Sequence, residues 1–187
     1  MSGAPSATGA LLLCLDLQPV FLRAVEGGEH VLDRCRFAVA SARGLGIAVA
    51  FTEQVPAKLG ATDPTLLALV EAPMVHEKET FSALAPGSPL RDKLLGEGRA
   101  GNLLLCGLET PICVYQTAVD ALQAGLAVTV LADCVGARRE ADARLCLDSL
   151  AGAGARVLPA EAVFYSIIGG ASHPFFRAYT ELVKKHA

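Results

Sequence analysis

Short apolar runs alternate with longer amphipathic stretches along the chain. The runs fall at residues 10–15 (ALLLCL), 47–51 (IAVAF), 103–106 (LLLC), 127–131 (AVTVL) and 156–158 (RVL), with a weaker one at 73–76 (PMVH). They lack the polar alternation of a half-wet strand, so they suit strands covered on both faces. Between them, residues 31–43 set Val31, Cys35, Ala38, Val39 and Ala42 on one helical face, and Gly44 follows as a stop. Residues 113–124 do the same with Val114, Ala118, Ala121 and Leu122 before Gly125, and 141–150 and 173–185 supply two more helices. Strand then helix, joined by short glycine-containing links, predicts an α/β fold. The expected form is a Rossmann-like three-layer α/β/α sandwich around a mainly parallel six-stranded sheet.

Composition agrees with that pattern. A chain of 187 residues suits one domain, here 10–187, behind a flexible Gly/Ser/Ala-rich tail at 1–9. A domain of that size buries roughly 70% of its unfolded surface, so it needs no disulfide or metal to hold it together. The formal net charge is −3 with no block of like charge, which points away from nucleic acid and from membrane surfaces as partners. LLLCL is five residues long, lacks a basic leader and runs into Asp16, so neither a spanning helix nor a secretion signal is expected. The six cysteines (14, 35, 106, 113, 134 and 146) form no C-x-x-C pair, and reduced thiols in a cytoplasmic protein are the expectation. With four histidines and no Cys/His cluster, neither a metal nor another cofactor is anticipated.

In open parallel sheets, ligands bind beyond the carboxyl ends of the strands. The residues just past the expected ends are Asp16, Thr52-Glu53-Gln54, Glu77-Lys78, Gly107-Leu108-Glu109 and Asp133. In GLETPICVYQTAVDAL, Thr110 reads as an N-cap and Pro111 as the first helical residue, so Cys113 falls in the first turn. Unpaired amides and the positive helix end there favour a thiolate and face any anion that develops on a substrate carbonyl. Cys113 is therefore a candidate nucleophile, or else a small apolar residue near a helix start. Asp16 ends an apolar strand, where a charge must be paired, used, or spent capping LQPVF; Lys78, between Glu77 and Glu79, reads alone as a solvated lysine. Cys14, Cys35, Cys106 and Cys146 read as packing residues.

Three ordered motifs resemble the isochorismatase-like cysteine hydrolase family over nearly the whole chain. LDLQPVF carries Asp16, Gln18 and Phe21; KETFSAL carries Lys78, Phe81 and Ser82; GLETPICVYQTAVDALQAG carries Gly107, Cys113, Val114, Thr117, Ala118, Asp120, Ala121 and Gly125. TEQVPAKLG, GLE, DCVGARREAD and GARVLPAEAVFYSI are similar to the subgroup of isochorismatase domain-containing proteins, with Gly136-Ala137-Arg138-Arg139 departing from the usual Ser/Arg pattern. The resemblance implies a triad of Asp16, Lys78 and Cys113, with a covalent acyl intermediate on Cys113. It also implies a non-proline cis peptide at Leu108–Glu109 and an oxyanion hole made of the Glu109 and Cys113 amides. FTEQVPAKLG lacks the histidine of the family's metal-binding nicotinamidases, and Cys113 is absent from true isochorismatases, so a metal-independent hydrolase of a small amide or imide is implied.

Phe21, Glu53, Gln54 and Phe81 are the candidate substrate-binding residues, with Gln54 equally a loop-ordering side chain. The alternatives are a ligand-binding or scaffold protein that keeps the triad without efficient turnover, and a thiol redox protein pairing Cys113 with Cys134 or Cys106. The resemblance further implies a homo-oligomer. Phe175, Phe176 and Tyr179 of the closing segment are candidates for its surface, unless they pack onto the sheet.

Overall fold

A computed structural model describes residues 9–96 and 101–186, so the tail expected over 1–9 lies, apart from Gly9, outside the described residues. Six strands form one sheet: β1 (Ala10–Leu15), β2 (Ala48–Gln54), β3 (Met74–Lys78), β4 (Asn102–Leu108), β5 (Ala127–Gly136) and β6 (Arg156–Leu158). All neighbours pair parallel in the order β3-β2-β1-β4-β5-β6. The expected sandwich is thus observed, with a sheet that is parallel throughout. Nine α-helices accompany it among the described residues: α1 (Pro19–Leu22), α2 (Gly28–Gly44), α3 (Pro56–Leu59), α4 (Pro64–Leu67), α5 (Pro89–Leu95), α6 (Tyr115–Gln123), α7 (Glu140–Gly152), α8 (Ala160–Ile168) and α9 (Phe176–Lys185).

Strand alternation divides the core into two layers. Leu12, Cys14, Leu104 and Cys106 face α2, α8 and α9, whereas Leu11, Leu13, Leu15, Leu103 and Leu105 face α5, α6 and α7. The central leucines are completely buried, each worth about 2 kcal/mol of apolar burial. The closing segment belongs to the first layer. Tyr179 is fully buried against Phe37 and Phe164, and Phe175 and Phe176 pack on the same cluster. Tyr179 is thus a core residue, and Phe175 and Phe176 are partly buried against the same cluster.

Two features depart from the sequence reading. The strands run further than their apolar runs, so Glu53, Gln54, Lys78 and Asp133 lie inside β2, β3 and β5. Backbone pairing with the central strands carries the ladder past the last apolar residue. Helix α8 (AEAVFYSII) was not anticipated as a helix, because its β-branched and aromatic residues obscure the period. Pro159 before it and the left-handed Gly169 after it are the boundary signals.

The chain winds outward from β1 to β3 and then returns to place β4 on the other side of β1, so the carboxyl ends of β1 and β4 open the crevice of a doubly wound sheet. Gly107 sits there with φ +113°, directly opposite Leu15. A Cβ at this position would lie 2.1 Å from the Leu15 carbonyl oxygen, so the strands approach only because the side chain is absent. Gly107→Ala is expected to cost about 3 kcal/mol of stability, read as a lowered urea midpoint with unchanged slope. A wild-type midpoint would contradict this account of the crevice.

Candidate active site

Asp16 follows β1 with φ 50°, a left-handed conformation that Asp tolerates better than most residues. Its amide donates to the Thr52 carbonyl at 3.1 Å, and the Thr52 hydroxyl donates to Oδ1 at 2.7 Å. Lys78 Nζ lies 2.7 Å from Oδ2, and the pair is nearly withdrawn from water, with 1% of the Asp16 side chain exposed and 7% of Lys78. The ammonium also donates to Gln54 Oε1 at 2.5 Å and to the Thr80 and Phe81 carbonyls at 3.2 Å. Lys78 is thus no solvated lysine. The register sets Leu15 beside Thr52 and Gln54 beside Lys78, so the three strand ends carry these groups to one place.

Cys113 arrives from the other side of the crevice. The peptide bond between Leu108 and Glu109 is cis, as the resemblance implies. Beyond it, Thr110–Val114 form a wide helical turn, marked by Val114 N–H donating to the Glu109 carbonyl at 3.2 Å, before α6 begins. Glu109, rather than Thr110, occupies the cap position, and the Thr110 hydroxyl donates instead to the Gly136 carbonyl at 3.0 Å. Cys113 Sγ is 3.5 Å from Lys78 Nζ and 7% of the residue is exposed. Burial pushes the thiol up to about 12; the Asp16 charge and hydrogen bond add to this, and Lys78 opposes it. The sequence reading favoured a thiolate. In the folded chain burial and the neighbouring carboxylate favour the protonated thiol.

Asp16, Phe21, Gln54, Phe81, Leu108, Glu109, Ile112 and Cys113 enclose a cavity of about 70 Å³. Phe21 is half-buried and Phe81 exposed at its mouth. Gln54 is both wall and brace: Oε1 accepts from Lys78 and Nε2 donates to the Glu79 carbonyl at 2.8 Å. Glu53 is not part of this wall. Strand alternation turns it away from Thr52 and Gln54, and its carboxylate accepts from the Thr62 amide at 2.7 Å. The Glu109 carboxylate pairs with Arg138 Nε at 2.9 Å. Sequence reasoning did not single out Ile112; it named Thr52 and Leu108 on the rim and Arg138 within a motif, none with a side-chain role in the site. Period-2 spacing from Gln54 was the available signal for Thr52.

The remaining candidates lie apart. Asp133 holds Arg34 at 2.8 Å and the Ala160 amide at 2.7 Å, a structural tie between β5, α2 and α8. Cys106 and Cys134 sit in the α2-side core with Cys14 and Cys35, where Cys106 Sγ lies 3.5 Å from Cys14 Sγ and Cys134 Sγ donates to the Arg34 carbonyl at 3.3 Å. Their contacts are with that layer. The polar neighbours of Cys113 are Lys78 and Asp16.

The chain is similar to proteins of known sequence and structure. Bovine (Bos taurus) isochorismatase domain-containing protein 2 is 34% identical over 175 residues, covering 94% of this chain and 82% of the relative. The structure of MAR1 ribonuclease from Caenorhabditis elegans superposes with a TM-score of 0.90 at 32% identity, covering 97% of this chain and 93% of that one. YcaC from Escherichia coli, an octameric hydrolase of unknown specificity, shares the fold with a TM-score of 0.83 at 18% identity, covering 100% and 97% of the two chains. The model of the isochorismatase domain matches residues 10–162, and the chain belongs to the isochorismatase family.

Proposed function

We propose that the chain is a cysteine-dependent hydrolase that opens the C–N bond of a small amide or imide through a covalent Cys113 intermediate. The observation that carries this reading is the meeting of Asp16, Lys78 and Cys113 around one small cavity. Asp16 takes the thiol proton as sulfur bonds to the substrate carbonyl carbon. The developing oxyanion accepts from the Glu109 and Cys113 amides. Asp16 then returns the proton to the leaving nitrogen, the C–N bond breaks, and a thioester remains. Water attacks that thioester while Asp16 accepts its proton; the acid departs and the thiol is restored. Lys78 orients Asp16 and stabilises negative charge on sulfur. A thiol held near 12 makes proton transfer concurrent with attack, since little thiolate is present at rest.

Cavity size and chemistry narrow the substrate. About 70 Å³ walled by Phe21, Phe81, Leu108 and Ile112 suits a small uncharged acyl group. The name of the ribonuclease relative raises nuclease chemistry, but a net charge of −3 and two carboxylates on a cavity this small favour an amide over RNA. No helix among the described residues is long and apolar enough to cross a membrane, and free cysteines suit a reducing cytoplasm. Assembly from identical copies belongs to the same reading, supported by the octameric YcaC hydrolase.

Two experiments test the reading. In a panel of short-chain amides, wild type is expected to release ammonia and to yield an acyl adduct on Cys113 after acid quench. Cys113→Ala is expected to lower kcat by about a thousandfold or more. Activity that survives the substitution sinks the proposal, and a wild type that binds amides without turnover or adduct favours the ligand-binding alternative. In the second experiment, alkylation of Cys113 by chloroacetamide is followed against pH. With the thiol near 12, the rate should climb about tenfold per pH unit from neutral into the alkaline range. Asp16→Asn removes the charge that holds the proton and should speed labelling at fixed pH, whereas Lys78→Met should slow it. A plateau near neutrality, or the opposite signs, would contradict the mechanism.

A further inference from the structure

Helix α7 is covered very unevenly. Of its thirteen residues only Leu150 is buried, although the sequence EADARLCLDSLAG is apolar in more than half its positions. Leu145 projects from it with 69% of its surface exposed, more than any other large hydrophobic residue described. The next is Phe81, at the mouth of the catalytic cavity, and the others stand at 37–38%. Scattered apolar residues at that level are ordinary, but a leucine on the apex of a helix beside a groove is not.

The groove is the second observation. Alongside α7, between it and the carboxyl end of β5, lies a cavity of about 490 Å³, several times the catalytic one. Val31, Val135, Leu147 and Val157 contribute its apolar lining, and its charged residues are Glu26, Glu140 and Asp148 against the single cation Arg144. One helix therefore carries an apolar cleft with three carboxylates, a cation at its edge in Arg144, and the exposed Leu145 beside it. Arg144 and Leu145 can each meet their complement, carboxylates and apolar lining, in the cleft of a second copy. Both belong to the same chain, which is what a self-complementary interface requires: on a two-fold axis, each copy gives this pair and receives its partner's.

We infer that α7 and the groove beside it form the contact between two copies of this chain, with Arg144 and Leu145 of each copy seated in the groove of the other. The inference rests on the assembly part of the reading above and names its surface. Phe175, Phe176 and Tyr179, the other apolar candidates, pack on the core cluster. The contact also comes close to the site, because α7 starts at Glu140 and Arg138, two residues earlier, holds the Glu109 side chain.

Sedimentation velocity of the full chain over a range of concentrations tests the inference. Wild type is expected to sediment as a dimer or a multiple of one. Leu145→Asp should halve the species mass or raise the dissociation constant by about tenfold or more, as loss of a central apolar contact does. Arg144→Glu, at an exposed position, is the second variant and should act in the same direction. Circular dichroism confirms that each variant is folded. An oligomer unaffected by both substitutions moves the interface elsewhere and overturns the assignment while leaving assembly intact. A wild type that remains monomeric leaves the groove to another occupant and overturns both.

Discussion

The ion pair between Asp16 and Lys78 is the constraint on which the site depends. A carboxylate 1% exposed and an ammonium 7% exposed are each expensive to remove from water, and either alone would destabilise the fold. Together they are tolerable only at hydrogen-bond distance with their remaining valences filled. Thr52, Gln54 and the Thr80 and Phe81 carbonyls fill them. Most of these partners come from β2 and β3 or the turn after β3, so parallel register and electrostatics fix the same geometry. The cavity follows from it, because Gln54 and Phe81 are held where the ammonium needs their oxygen atoms.

That pair also explains the behaviour of Cys113. A thiol buried beside a carboxylate is held above its ordinary range, and in the proposed mechanism the same carboxylate takes the proton when sulfur begins to bond to carbon. The ammonium 3.5 Å away limits the cost of that step without abolishing the resting thiol. The four cysteines of the α2-side core show the contrast. They are completely buried among other thiols and backbone carbonyls, and the carboxylate beside them, Asp133 at 3.6 Å from Cys134, is engaged by Arg34 and the Ala160 amide and does not line the cavity of Cys113. Burial alone does not make a cysteine chemically useful; its neighbours do.

Much of this was legible in the sequence. The six apolar runs each became a strand; the four inner strands are covered on both faces and have little room for polar residues, whereas the edge strands β3 and β6 are only partly buried. The four periodic stretches became α2, α6 with its leading turn, α7 and α9. The convergence of Asp16, Lys78 and Cys113 was readable from topology and motif together. What was not legible came from interactions between segments. Strand ends were set by pairing, so Lys78 and Gln54 lie within the ladder. Glu53 and Gln54 look equivalent in sequence, and only alternation across β2 turns one to Thr62 and the other to the cavity. The sequence reading of Cys113 weighed only the helix start, because burial of the thiol and the charge of a carboxylate remote in sequence are not visible there. The bareness of α7 was hidden for the same reason: an amphipathic pattern does not reveal how little of a helix the fold covers.

The central claim, that Asp16 and Lys78 act as one buried unit, is tested most directly by a double-mutant cycle on stability. Asp16→Asn keeps a residue that tolerates positive φ, and Lys78→Met keeps the length of the stem. Urea unfolding of wild type, both single variants and the double variant gives the coupling. The account predicts that each single change costs about 3 kcal/mol and that the double costs far less than their sum, a coupling of about 2 kcal/mol or more. Costs that add to within about 0.5 kcal/mol would mean that the two groups stabilise the fold independently, and the account built on the pair would fail.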